Sequence, residues 1–262
     1  MVRPAVSIRN VGKTWDVEGR PPLRAIDDLS FDVAPGEFVV LLGPSGCGKS
    51  SLLYMIAGLE TVSNGVIEDD GLAIAGPSPE RGLIFQEASL FPWLTILDNV
   101  AFGLAIRAEL PERRREKARE ILRRVGLGDV LDKKPDELSG GMRQRAAFAR
   151  ALVMQPRVLM MDEPFAALDV QTRAKLQDFL LQIWQDSRAS VLLVTHSIDE
   201  AISLADRVIV FTARPGRVKE IVPIDLPRPR PTRSQRYHEY RDYFTELLAA
   251  EVDKAFAEQS GL

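Results

Sequence analysis

Eight consecutive residues, Gly43-Pro44-Ser45-Gly46-Cys47-Gly48-Lys49-Ser50, have the types and spacing of a loop that cradles phosphate. Glycines put no Cβ in the way, so successive backbone N–H groups can curl around an anion. Lys49 can bring an ammonium to the β- and γ-phosphates, and Ser50 can offer a hydroxyl to Mg²⁺. The loop stands between an apolar run over 38–42 and a helical pattern over 51–57. That context places a strand end before the phosphate and the positive end of a helix dipole after it. The segment from Gly43 to Ser50, together with Ser51, is therefore expected to bind nucleotide phosphates. A glycine-rich turn that binds nothing is the alternative, and the Lys-Ser ending and the flanks argue against it.

A second cluster, Val158-Leu159-Met160-Met161-Asp162-Glu163-Pro164, is an apolar strand ending in two carboxylates. A nucleotide hydrolase built on a phosphate loop needs an acid at the end of a neighbouring strand to hold Mg²⁺, and Asp162 fits that role. Glu163 fits a different one, polarising the water that attacks the γ-phosphate. Taken alone the pair would also suit a solvated turn.

The elements that must position these groups follow from pattern. Residues 7–11 and 29–33 alternate apolar and polar, as half-buried strands do. Asp70-Gly71 within 65–74 signals a hairpin with a type I′ turn, and Pro35-Gly36 marks a turn ahead of the phosphate-loop strand. Pro111 suits a first helical position; Ala118, Ile121, Leu122 and Val125 follow at helical spacing, with Gly126 as a stop. Another helix is expected over 141–154, ended by Pro156. Short apolar runs at 157–161, 191–195 and 208–212, between helical patterns, predict a mainly parallel sheet. Four prolines and two arginines over 223–231 read as an extended linker with solvated arginines. Beyond it Tyr237, Tyr240, Phe244, Leu248, Val252 and Phe256 lie at helical spacing, as in a helix packed on its own subunit, with a dimer contact as the alternative.

The bulk composition narrows the classes. At 262 residues the chain is near the upper limit of a single core, so one domain with insertions, or a core plus a subdomain, is expected. A net charge of −3 gives no basic field for nucleic acid. Cys47 is the single cysteine, which excludes an intrachain disulfide and fits a reducing cytoplasm. Residues 1–4 carry no apolar stretch, so no secretory leader is expected. No apolar run approaches the roughly 20 residues a membrane span needs, so membrane association is expected through a partner.

Leu138-Ser139-Gly140-Gly141-Met142-Arg143-Gln144-Arg145 resembles the signature of the ATP-binding cassette (ABC) ATPases, in the order and approximate spacing that family keeps with the phosphate loop and the acidic strand. Gln86, in Ile84-Phe85-Gln86, resembles the Q-loop glutamine. Ala167-Leu168-Asp169 resembles the D-loop, and His196, in Val194-Thr195-His196, the switch histidine. Trp15 stands where the family places the aromatic residue that stacks on adenine; a core aromatic of the β-rich region is its other reading. The resemblance covers about residues 6–225.

It implies an α/β fold: a P-loop NTPase core with a mainly parallel sheet, an N-terminal antiparallel β subdomain and an inserted α-helical subdomain at about 87–155. Residues 1–225 would form the ATPase domain and 226–262 a linker and helical tail. It implies ATP and Mg²⁺ as cofactors. Glu163, His196, Lys49 and Gln86 would act in catalysis, and Ser50, Gln86 and Asp162 on the metal. Trp15, the phosphate loop, Ser139, Gly140, Gly141 and Asp169 would contact nucleotide. Ser139 and Gly141 open a helix and so make a second anion site. Two anion sites for one triphosphate are explained by a head-to-tail homodimer in which each copy caps the other's nucleotide; an ordinary N-capped helix is the plainer reading.

The same resemblance implies integral-membrane permease subunits as partners, indirectly a solute-binding protein, and a peripheral place at the cytoplasmic face of the cell membrane. The apolar stretch 85–96 would be the groove for a permease helix, or simply a buried connection. Arg81-Gly82, Leu90-Phe91-Pro92-Trp93, the stretch from Asp98 to Leu104 and Leu226-Pro227-Arg228-Pro229-Arg230 look like the nitrate, taurine and aliphatic-sulfonate importer group. A non-transport ABC ATPase, an ATP-dependent regulator without turnover and a P-loop kinase are the competing readings. Met142 departs from the family's usual glutamine, which removes one polar contact. Cys47, amid amide donors and beside Lys49, is either a thiol of lowered pKa that maleimide would attack and ATP would protect, or a small space-filler. His238 lies in the tail and is read as structural.

Overall fold

The computed structural model describes residues 3–16, 18, 19, 21–166 and 168–260; Ala167, the first residue of the D-loop resemblance, lies outside them. In chain order the first elements are β1 (Val6–Trp15), β2 (Leu23–Val33), β3 (Phe38–Leu42), α1 (Lys49–Ala57), β4 (Asn64–Asp69) and β5 (Leu72–Ala73). There follow β6 (Arg81–Ile84), α2 (Ile96–Ile106), α3 (Pro111–Arg124), α4 (Gly140–Leu152), β7 (Val158–Asp162) and α5 (Val170–Ser187). The last are β8 (Ser190–Thr195), α6 (Ile198–Leu204), β9 (Arg207–Phe211), β10 (Val218–Pro223) and α7 (Gln235–Ser260). The fold is α/β, and contacts gather it into two compact units, Met1–Ser78 with Ser190–Leu262, and Pro79–Ala189.

The first unit holds two sheets. One is antiparallel, in the order β2-β1-β4-β5, with Ile8 paired to Phe31 on one side and to Ile67 on the other. Asp70 and Gly71 both take positive φ, 51° and 75°, which is the type I′ turn expected from that dipeptide. In the other, β3 runs parallel to both β8 and β9, and β10 closes on β9 antiparallel. Every residue of β3 and of β8 is buried, which is why these strands read as continuous apolar runs rather than alternations. The second unit pairs β6 with β7 in parallel and packs α2, α3 and α4 together.

Several elements differ from their sequence patterns. β10 and α2 are not among the elements expected from sequence, although Thr95 caps α2 and its apolar residues recur at helical spacing, and α4 stops at Leu152, two residues short of the expected end. The proline-rich stretch is not a solvated linker. Arg230 is 8 % exposed, and its guanidinium donates to the carbonyls of Ile202, Ala205 (2.6 Å), Ile224 and Leu226 (2.9 Å). Arg228 pairs with Asp206 at 2.6 Å and donates to the Leu204 carbonyl. Both arginines thereby satisfy carbonyls at the C-terminal end of α6, which a helix leaves without partners. The stripe on α7 is buried only over its first half: Tyr237, Phe244 and Leu248 are buried, whereas Val252 and Phe256 are exposed.

Candidate functional site

The phosphate loop leaves β3 and enters α1 through Gly48, whose φ of 98° lies in the left-handed region open to glycine. A Cβ at Gly48 would come within 2.6 Å of Ile26 Cγ1 and 3.0 Å of the Ala25 carbonyl, so β2 packs directly under the loop. Gly216 seals another side: a Cβ there would stand 2.0 Å from the Cys47 carbonyl oxygen. Gly216 is fixed by two backbone bonds to β2, its N–H to the Ala25 carbonyl and its carbonyl from the Asp27 N–H. At Gly46, by contrast, φ is 79° and no atom of the described residues would lie within 4 Å of a Cβ, so the crown of the loop opens outward.

Lys49 is buried and its Nζ donates to the carbonyls of Gly43 at 2.8 Å and Pro44 at 2.7 Å. The ammonium is thus held inside the loop's own curl, with charge to offer an anion there. The cap of α1 is Gly48, which has no side chain to bond the helix's first N–H groups. Cys47 is 1 % exposed, and burial pushes its thiol above the ordinary value, with Lys49 opposing only in part. The lowered pKa read from its neighbours is therefore corrected: desolvation of the thiolate outweighs the nearby cation. Cys47 fills space.

In the same unit Trp15 ends β1. Its ring is half-buried rather than part of the core, with Lys13 Nζ 4.1 Å from the ring centroid. His196 follows β8 and is exposed. Its loop is pinned from both sides: Thr195 Oγ1 donates to Glu200 at 2.6 Å and accepts from the Ser197 N–H at 3.0 Å. Ser197 in turn caps α6.

The second unit carries the remaining candidates. Asp162 ends β7 and is 3 % exposed. Glu163 follows with φ of 43°, a left-handed conformation costly for a residue with a Cβ, and one that turns the chain abruptly off the strand. Ser139 caps α4, its hydroxyl accepting from the Met142 N–H at 3.3 Å. Ser139 and Gly140 are exposed, and the nearest atom to a Cβ at Gly140 is a terminal nitrogen of Arg143, 4.0 Å away. Asp169 caps α5, accepting from the N–H groups of Gln171 and Thr172 at 3.1 and 3.0 Å; the Thr172 side chain first, and then those backbone bonds, hold its carboxyl below the usual range.

Gln86 lies just past β6 and is exposed. The stretch that follows is held by side chains of three helical positions. Gln144 donates to the Phe85 carbonyl at 3.4 Å, and Arg150 to the carbonyls of Ser89 at 2.8 Å and Ala88 at 3.3 Å. Fully buried Asn99 bonds the backbone of Phe91, Leu94 and Thr95. The Phe91 ring lies tilted against Trp93 and Phe102, with centroids 5.5 and 4.6 Å away, and Trp93 remains 69 % exposed. Sequence reading does not single out Gln144, Arg150, Asn99, Thr195, Glu200 or Gly216 for these roles. Arg150 and Thr195 are polar residues beside apolar runs, but Gln144, Asn99, Glu200 and Gly216 each have a charged neighbour in sequence and carry no such signal.

The residues expected on a metal, Ser50 in the first unit and Asp162 and Gln86 in the second, each carry a hard oxygen of the kind that suits Mg²⁺. Among the described residues no group of three His, Cys, Asp or Glu side chains is placed to hold an ion by itself, so phosphate oxygens and water would have to complete the coordination.

A family profile described as ABC transporter fits residues 26–166. The chain is 46 % identical over 250 residues to an uncharacterized ABC transporter ATP-binding protein of Methanocaldococcus jannaschii, covering 95 % of this chain and 93 % of the relative. It is 43 % identical to the nitrate transport protein NasD of Klebsiella oxytoca, covering 97 % of this chain and 100 % of that one. Among solved structures, the ATP-binding cassette MJ0796, a dimer in a post-hydrolysis state bound to ADP and Pi, superposes with a TM-score of 0.76 at 32 % identity, over 84 % of this chain and 98 % of that one. On these grounds the chain belongs to the ABC transporter family, as one of its ATP-binding cassettes, an ATPase of P-loop fold.

Proposed function

We propose that this cassette is the ATP-hydrolysing subunit of an importer for a small anion such as nitrate, a sulfonate or taurine, working as a head-to-tail homodimer beneath integral-membrane permease subunits at the cytoplasmic face of the cell membrane. A solute-binding protein outside the membrane would deliver the anion. The observation that carries the reading is the open crown of the phosphate loop over a buried Lys49, in a chain alike along nearly its whole length to a nitrate transport protein. No helix among the described residues is long and apolar enough to cross a membrane, and in this reading the permease subunits supply the translocation path. The exposed aromatic surface around Trp93 supports a permease contact.

In this reading the backbone of Gly43, Pro44, Ser45, Gly46, Cys47, Gly48, Lys49, Ser50 and Ser51 binds the phosphates, and Trp15 stacks on the base. Lys49 neutralises charge on the transferring phosphoryl group. Ser50, Asp162 and Gln86 would hold Mg²⁺, which would supply further neutralisation of charge on the phosphate oxygens. Glu163 polarises the attacking water, and its left-handed backbone is the kind of strained position that reaction centres keep. His196 stabilises charge on the γ-phosphate. Ser139, Gly140, Gly141 and Asp169 of one copy act on the nucleotide held by its partner. ATP favours the closed dimer because only that state has both sets of phosphate contacts.

The test is Glu163→Gln in the full chain. Turnover should fall by about 10²–10⁴-fold, the range a general base contributes, while ATP and Mg²⁺ should now hold a dimer on size exclusion. Wild-type hydrolysis by this variant would remove Glu163 from the role. Co-purification of the permease encoded with it, and stimulation of hydrolysis by one solute among nitrate, sulfonates and taurine, would fix the substrate.

A further inference from the structure

We propose that Lys13 is a positioning residue for the nucleotide base: it closes one face of the Trp15 ring, so that the base stacks on the other face only. The inference rests on the reading that Trp15 is the base-stacking residue, and it adds a second side chain to that platform.

Four observations carry it. Lys13 and Trp15 are two residues apart on β1, and their side chains meet there although the pairing with β2 shifts register between Lys13 and Thr14. Lys13 is 7 % exposed, unusual for lysine, and its Nζ lies 4.1 Å from the Trp15 ring centroid. The ammonium cannot swing away freely, because it is tied to Glu60 Oε2 at 3.2 Å and to the Thr61 carbonyl at 2.8 Å. The pairing of β1 with β2 sets Lys13 opposite Ile26, and Ile26 is the residue that packs under Gly48 of the phosphate loop. The platform and the phosphate cradle are therefore built on the same two strands, three residues apart along β2 from Leu23, the partner of Trp15, to Ile26.

The physical consequence is directional. An indole with both faces open can turn about its side-chain bonds and offer either face. With a desolvated cation on one face, that face is occupied and attracted to its occupant, and the ring is held in one orientation. The base then meets a platform that is already ordered, and less freedom is lost on binding. Lys13 touches neither phosphate nor water in this scheme, so its loss should be felt through the base alone.

That selectivity gives the experiment. Dissociation constants of Mg²⁺-ATP and of Mg²⁺-tripolyphosphate, which has no base, are measured for the full chain and for Lys13→Met, Lys13→Arg and Trp15→Ala. Trp15→Ala should weaken ATP by about tenfold and leave tripolyphosphate unchanged, as expected for one lost stacking contact. Lys13→Met should weaken ATP by about three- to tenfold, the worth of one partly desolvated cation–π contact, again without effect on tripolyphosphate, and the loss should appear in KM rather than kcat. Lys13→Arg, which keeps the cation over the ring, should recover most of the affinity. Equal weakening of both ligands by Lys13→Met would mean a general structural role and overturn the proposal; so would no weakening of either while Trp15→Ala still discriminates. If Trp15→Ala itself fails to discriminate, the stacking reading falls and this inference with it. Should Lys13→Met not fold, Glu60→Gln, which loosens the ammonium from one of its two oxygens, must show the same ATP-selective loss in smaller measure.

Discussion

At Cys47 the identity of a neighbour and its effect point in opposite directions. Lys49 Nζ lies 3.5 Å from the thiol sulfur, an arrangement that in water would favour the thiolate. Burial to 1 % exposure reverses the balance, and the thiol titrates above its ordinary 9.0. The native protein should therefore resist maleimide at pH 8 with or without ATP, and label quickly only in denaturant; fast native labelling that ATP blocks would contradict the burial. The sign of the pH effect follows. Well below pH 9 the thiol is neutral in both states and its stabilising share is complete. As pH climbs towards the raised folded value, the unfolded thiol ionises first and stability falls, by at most about 1.4 kcal/mol per pH unit. The difference in urea midpoint between the wild type and Cys47→Ala, followed from pH 8 to 10, isolates that contribution. The phosphate loop, the acidic pair and the capping serine are all legible from residue types, because each is a contiguous string whose chemistry is local. What surrounds Cys47 is not, because Gly216 arrives from a remote part of the chain and sequence spacing says nothing about it.

Elements show the same division between local and assembled signals. β3 and β8 can be read as buried strands because burial on both faces leaves only apolar side chains. The stretch 223–231 misleads because proline and arginine are the composition of a solvated linker; only the fold supplies the open carbonyls at the end of α6 that the arginines reach. Burial lowers the Arg230 pKa to about 10, with Arg228 adding repulsion, yet the guanidinium stays protonated at neutral pH and keeps its carbonyl partners. α6 begins two residues after His196, and Thr195 is bonded to Glu200 on that helix. The proline-rich stretch thus buttresses the helix that fixes the histidine loop. Arg230→Met should lower unfolding free energy by about 1–3 kcal/mol, the cost of stranding buried acceptors. It should also reduce kcat more than ATP affinity, since the phosphate loop is not in its reach. Arg230→Lys should recover little, because one ammonium cannot replace a fork that serves separate carbonyls. Denaturant titration with steady-state kinetics on the same samples checks both; equal losses in kcat and binding would count against the α6 link.

For the whole molecule, the decisive observation is a glycine that its own subunit does not require. Gly140 is the first residue of α4 and is exposed, and among the described residues a Cβ there would meet nothing closer than 4.0 Å. A side chain at this position is free of steric cost in one copy, and an aspartate would favour the positive end of the helix dipole. Gly140→Asp should therefore leave the thermal midpoint of the isolated cassette unchanged or slightly raised. If the exposed start of α4 covers the nucleotide of a second copy, that same carboxylate is thrust against a triphosphate. Two negative groups brought together out of water repel by several kcal/mol, which suffices to prevent closure. The expected pattern is full ATP binding at the phosphate loop, no ATP-dependent dimer in the Glu163→Gln background, and hydrolysis reduced by at least about 100-fold. Equilibrium binding, size exclusion with ATP and phosphate release separate the three. Normal dimerisation and turnover with Asp at position 140 would mean that α4 does not face a partner's nucleotide, and the active unit would then have to be sought within one chain.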